Sequence, residues 1–242
     1  MRKTTSLYDI PVERVLFLDI ETVPAFEDYN QMPDDFKKLW DDKAGKINKD
    51  ESALPAGIYN RAGIYAEFGK IICISTGYIK GTQFIIKSFF GDSEAQLLNE
   101  FGEMLSKLSK TQIWMLCAHN GKEFDFPYIA RRMLVNGIHI PDMLDISSKK
   151  PWEVNHLDTM ELWKFGDYKN YTSLDLLCTL FGIKTPKDDI DGSMISQVYW
   201  QEKNLKRIVT YCQKDTYAVA CLLLKYTGRP IIPEQNIVFL QI

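Results

Sequence analysis

Arg14-Val15-Leu16-Phe17-Leu18-Asp19-Ile20-Glu21-Thr22 is the run from which the rest of this chain is read. Its β-branched and aromatic residues spell a buried strand. Residues i and i+2 of a strand share a face, so Asp19 and Glu21 project together. Two adjacent carboxylates repel one another and are costly to desolvate unless something positive sits between them. A divalent cation with oxygen ligands is the simplest such partner, and Mg²⁺ or Mn²⁺ suits the site. Taken alone, Asp-x-Glu is more often an exposed pair where a strand meets a turn. The residues downstream decide between the two.

At 242 residues the chain is long enough for one large α/β domain with a substantial core, and residues 1–242 are read as a single domain. A net charge of −3 supplies no global basic footprint. A nucleic-acid partner would therefore be held by local positive patches or through metal, which disfavours a non-specific coat and leaves a narrow-cleft enzyme open. The cysteines (Cys73, Cys117, Cys178, Cys212, Cys221) are odd in number, scattered and without a C-x-x-C pair. They read as reduced core residues of a cytoplasmic protein. The histidines (His119, His139, His156) are too separated for a zinc site. No signal peptide is apparent, and no apolar run approaches the ~20 residues that span a bilayer, so no membrane is expected.

Pro24 ends the first strand, and residues 26–66 follow as a charged insertion with helical spacing of Phe36, Leu39 and Trp40. It is either a solvated excursion or a flap beside the carboxylates. Residues 70–79 and 83–90 form a hairpin about Lys80-Gly81-Thr82. Ser93 and Gln96 have the capping-box form before an apolar stripe from Leu97 to Leu108. A strand over 112–118, then helices over 124–136, 173–181, 195–200 and 205–226, complete the pattern, with residues 141–170 unassigned. The expectation is a mixed sheet with helices on both faces and the carboxylate strand central.

Two later stretches join the first. His119-Asn120-Gly121-Lys122-Glu123-Phe124-Asp125-Phe126-Pro127 follows a strand and opens a helix, with Asp125 near the helix N-terminus. Tyr211-Cys212-Gln213-Lys214-Asp215 places Tyr211 and Asp215 one turn apart on one helical face. Singly, these are a helix cap and a common i, i+4 pair.

In order, Asp-x-Glu, Asn-x-x-x-Phe-Asp-x-Pro and Tyr-x-x-x-Asp resemble the three motifs of the DEDDy 3′–5′ exonucleases of the ribonuclease H-like superfamily. The likeness is to the proofreading exonuclease domain of family B DNA polymerases in standalone form, over roughly Val15 to Tyr226. Phe68-Gly69-Lys70 and Ser173-Leu174-Asp175-Leu176-Leu177 are further similar pieces. His119 stands where polymerase domains often carry Tyr.

The resemblance implies an α/β ribonuclease H-like fold with a mixed five-stranded sheet and hydrolysis at the 3′ end of single-stranded DNA. It implies two divalent cations, Mg²⁺ or Mn²⁺, about 4 Å apart, which activate a water and stabilise the leaving oxygen. Asp19 would bridge both ions, Glu21 and Asp215 complete the one carrying the water, and Asp125 serve the other. Tyr211, with an ordinary pKa near 10, would orient that water and not deprotonate it. Asn120, Thr22, Phe124 and Lys122 are the candidate substrate contacts. For Asn120 the alternative is a turn-forming Asn-Gly, and for Phe124 a core anchor. Lys122, Arg131, Arg132, Lys149, Lys150 and Lys169 are candidates for phosphate contact or solvated surface charges. The acids of the 184–192 loop offer a second cation site or a plain surface loop.

The competing readings are an exoribonuclease, a non-catalytic nucleic-acid-binding domain, and a proofreading subunit that pairs with a separate polymerase or with repair proteins. The intact set of four carboxylates and Tyr211 speaks against the non-catalytic one.

Overall fold

The structure, a computed structural model, describes residues 6–48, 54–112, 114–167, 171–184 and 189–240. Strand β1 (Val15–Pro24) lies inside a mixed sheet of order β5-β4-β1-β2-β3-β6. It pairs antiparallel with β2 (Gly69–Lys80) and parallel with β4 (Met115–Ala118). β2 turns tightly at Gly81, whose φ is +60, into antiparallel β3 (Gln83–Phe90). β5 (Leu157–Asp158) and β6 (Ile237–Phe239) extend the sheet in parallel at its two edges.

The described sheet thus has six strands where five were expected. β6 is three residues long and follows Pro233, so it carries no period-two pattern. It is held by register with Phe84, Ile85 and Ile86, which only the fold reveals.

Alternation along β1 sorts its side chains between two layers. Leu16, Leu18 and Ile20 join a core built with α2 (Glu94–Leu108) and α3 (Asp125–Val135). Val15 and Phe17 face α7 (Leu205–Tyr226), and Val23 faces α7 together with α6 (Ile195–Trp200). Asp19 and Glu21 therefore continue the row that α7 covers. The smaller helices α4 (Thr159–Lys164) and α5 (Leu174–Phe181) lie on that same side.

The helix ends follow their sequence signals. Ser93 accepts from the Gln96 N–H and Ser173 from the Leu176 N–H, while Gly182 closes α5 in the left-handed conformation. The Gln96 side chain donates to Glu100, so the reciprocal half of the capping box is replaced by an i, i+4 contact. Residues 26–66 hold α1 (Asp34–Ile47) and a 3₁₀ stretch, Pro55–Ile64, around their own small core of Met32, Trp40, Ala44, Tyr59 and Ala62.

Candidate active site

Strand β1 brings Asp19 and Glu21 to the underside of α7, whose apolar stripe of Ile208, Val209, Cys212 and Val219 is buried against the sheet. Polar contacts fix the docking. Thr216 Oγ1 donates to the Ser75 carbonyl at 3.3 Å, and Gln213 donates to Ser88 Oγ at 2.9 Å. Ser75 is the β2 partner of Asp19, so α7 is anchored beside that carboxylate. The β1–β2 register then shifts between Glu21 and Thr22, pairing Glu21 with Cys73 and Thr22 with Ile71. A bulge of this kind re-aims side chains at the end of a strand.

Asp125 arrives from the other direction, as the first residue of α3, and accepts the Ile20 backbone N–H. Phe124, not Asp125, holds the cap position. Asp19, Glu21, Asp125, Tyr211 and Asp215 are close enough for their charges to act on one another.

Burial, then the charges of Asp215 and Asp125, pushes the Asp19 carboxyl well above the usual carboxylate range. Burial and the Asp19 charge do the same to Glu21. Burial lifts Asp125 to about 7 against the Ile20 hydrogen bond that lowers it. The Tyr211 phenol is pushed far upward by burial and by Asp215, Glu21 and Asp19, and it hydrogen-bonds Asp215. It stays protonated.

Asp19 Oδ2 is buried and has no hydrogen-bond partner. A buried carboxylate oxygen without a donor, among three further carboxylates, is what a cation site looks like before its charge is compensated. The donor set fits hard divalent ions. Ligand atoms of Asp19, Glu21 and Cys212 lie within 4.8 Å of one another. The Cys212 thiol donates to the Asp19 carbonyl at 3.3 Å, and burial raises its pKa well above normal, so it sits there as a neutral donor. From sequence Cys212 reads only as a reduced core thiol, although it stands between the two named residues of its motif.

A groove of about 390 Å³ opens beside Glu21, lined also by Thr22 and Phe124. Phe124 serves the core as well, with its ring 5.3 Å from that of Tyr128. Asn120 and Lys122 line a separate cleft of about 370 Å³ with Lys149 and Lys164. Asn120 takes the left-handed conformation at φ 62, and its Oδ1 is buried without a partner. Lys122 is ion-paired to Glu161. His119 is pinned, with its ring nitrogens 2.9 Å from Thr159 Oγ1 and 2.9 Å from the Thr172 carbonyl.

Asp158 holds this turn together. Its carboxylate accepts the N–H groups of Asn120, Lys122, Met160 and Glu161. Asp158-x-x-Glu161 is a capping signature in the stretch left unassigned. Among the phosphate candidates, Arg132 is committed elsewhere, donating to Glu94 at 2.6 and 2.9 Å. Lys169 and residues 185–188 of the polar loop lie outside the described residues. Asp189 of that loop accepts two hydrogen bonds from Arg207.

Among solved structures, the fold is similar to a family B DNA polymerase from the hyperthermophilic archaeon Pyrobaculum calidifontis, with a TM-score of 0.54 at 14% identity. The alignment covers 89% of this chain and 24% of that one, so the chain spans about a quarter of the polymerase. At such identity the likeness speaks for the fold. A comparison with curated proteins gave no match. No helix among the described residues is long and apolar enough to cross a membrane. A family profile described as "Predicted 3'-5' exonuclease related to the exonuclease domain of PolB" matches residues 64–229, a span that holds Asp125, Tyr211 and Asp215 but not Asp19 or Glu21. The match covers most of the chain, which belongs to that family of predicted exonucleases related to the PolB exonuclease domain.

Proposed function

We propose that this chain removes nucleotides from the 3′ end of single-stranded nucleic acid, with DNA preferred, in a reaction that depends on two divalent cations. The observation that carries the reading is a buried Asp19 oxygen that has no donor, on a half-buried residue whose carboxylate neighbours Glu21, Asp125 and Asp215 are all buried. These carboxylates would hold Mg²⁺ or Mn²⁺, which when bound lowers the pKa of a water and stabilises the leaving oxygen of a phosphodiester.

The chain's own groups do the rest. Tyr211, kept protonated by burial and by its acidic neighbours, would orient the attacking water by hydrogen bond and cannot act as a base at neutral pH. Thr22 and Phe124 line the groove in which the terminal nucleotide would lie, and Phe124 offers an aromatic face to its base. Glu21, Asp125 and Asp215 are buried and Asp19 partly so, which strengthens each electrostatic interaction there.

An oligonucleotide labelled at its 3′ end tests the reading directly. Label should leave a DNA single strand in Mg²⁺ or Mn²⁺ and stay on it in EDTA. Faster release from an RNA strand would move the assignment to an exoribonuclease. Release that is indifferent to EDTA would end the two-cation reading.

A further inference from the structure

The 3₁₀ stretch Pro55–Ile64 packs directly against the end of β1. Trp40, fully buried, donates its indole N–H to the Pro55 carbonyl at 2.9 Å, and the Phe26 N–H donates to the Tyr59 hydroxyl at 3.3 Å. Tyr128 donates to the Gly63 carbonyl at 2.7 Å, tying the stretch to α3. A Cβ at Gly63 would stand 3.0 Å from the Val23 carbonyl carbon, so glycine is what permits the close approach.

Side chains three apart eclipse in a 3₁₀ helix. Tyr59 and Ala62 accordingly share the buried edge, while Arg61 and Ile64 share an exposed one. That exposed edge, with Asn60, lines the same groove as Glu21, Thr22 and Phe124. Arg61 is the one cationic side chain among the described residues lining it, and it forms no ion pair with them.

We propose that Pro55–Ile64 is the second wall of the substrate groove and that Arg61 grips a backbone phosphate of the strand entering it. The proposal rests on the exonuclease reading and adds to it the residue that meets the polyanion. The groove is otherwise lined by carboxylate, neutral polar and apolar groups, and the chain's net charge is −3. Beyond the carboxylates and the cations they would hold, Arg61 is the one positive side chain among the described residues of the groove that can meet a backbone phosphate. Arginine suits the task because its planar fork pairs with phosphate oxygens. Ile64, half exposed, offers an apolar surface to a base in the groove.

The test measures steady-state cleavage of a 3′-labelled oligothymidylate and equilibrium binding of a 5′-fluorescent copy with Ca²⁺ in place of Mg²⁺. Arg61→Ala, Arg61→Lys and Arg61→Glu are compared with Lys80→Ala, which removes one exposed positive charge at the β2–β3 turn. Arg61→Ala should raise KM and Kd about tenfold with kcat little changed. The slope of log affinity against log salt should shrink by about 0.7, the share of one single-strand phosphate contact. Arg61→Lys should recover part of the loss and Arg61→Glu deepen it, with Lys80→Ala like the parent. If the parent cuts and Arg61→Ala matches Lys80→Ala, or loses kcat with an unchanged salt slope, the assignment of Arg61 is wrong. If the parent neither binds nor cuts the strand, the exonuclease reading falls and this inference with it.

Discussion

At the scale of single residues, the site is a set of buried like charges, and that makes the effects of substitution asymmetric. Asp19→Asn and Asp215→Asn should each lower cleavage by at least about 100-fold, because a divalent ion's stabilisation is worth several kcal/mol. In EDTA at pH 8 the same variants should melt higher than the parent, since each removes a repelling charge from the protein interior. An unchanged rate, or a lower melting point for both in EDTA, would contradict the cation site. Tyr211→Phe should lower kcat by up to roughly 100-fold through lost orientation and leave cation-induced stabilisation intact. The five candidate residues were nameable because motif order and spacing point to them. Cys212, Asp158 and Arg61 were not. What each does depends on a neighbour brought up by folding: a carbonyl 193 positions away for Cys212, the 119–122 turn for Asp158, a groove for Arg61.

At the scale of elements, the clearest signals were periodic. The long final helix, the hairpin and the capped starts of α2 and α5 follow from stripe, turn and cap residues. Strands β5 and β6, two and three residues long, are too short to show a period and exist because a longer neighbour offers them hydrogen bonds. Arg132 shows the same limit. On sequence it is a surface cation available to phosphate, whereas in the fold it joins α3 to Glu94 at the start of α2 with both side chains largely buried. Glu94 also accepts the Ile71 N–H at 2.7 Å, so the pair fastens two helices to β2. Arg132→Ala strands a buried carboxylate and should cost about 3 kcal/mol or more, lowering Tm by roughly 6–12 °C. Binding of a single strand should be unchanged at temperatures where the variant stays folded. A melting point equal to the parent's, with weakened binding, would return Arg132 to the phosphate contacts.

For the whole molecule, the carboxylate set links stability to pH. Asp125 is raised to about 7 by burial, and Asp19 and Glu21 are raised as well, all above the values they hold when unfolded. The folded state then binds more protons than the unfolded one between about pH 4 and 7, so stability falls as pH rises through that window. Protein stripped of metal should melt higher near pH 5 than near pH 8. Mn²⁺ should raise Tm strongly at pH 8 and little at pH 5, where protons hold the ligand oxygens. Equal cation effects at both pH values would count against these carboxylates as the ligands. The distance in sequence between β1 and α7 has a further outcome. The thiol of Cys212 reaches the backbone of Asp19 across 193 positions, so neither half of the cage means anything until the last long helix has docked. A ribosome-bound chain still lacking that helix would lack Tyr211 and Asp215, and with them the proposed cleavage. In refolding, the return of cleavage should coincide with the slowest, most non-local phase. Hydrolytic power would be the final property this chain acquires.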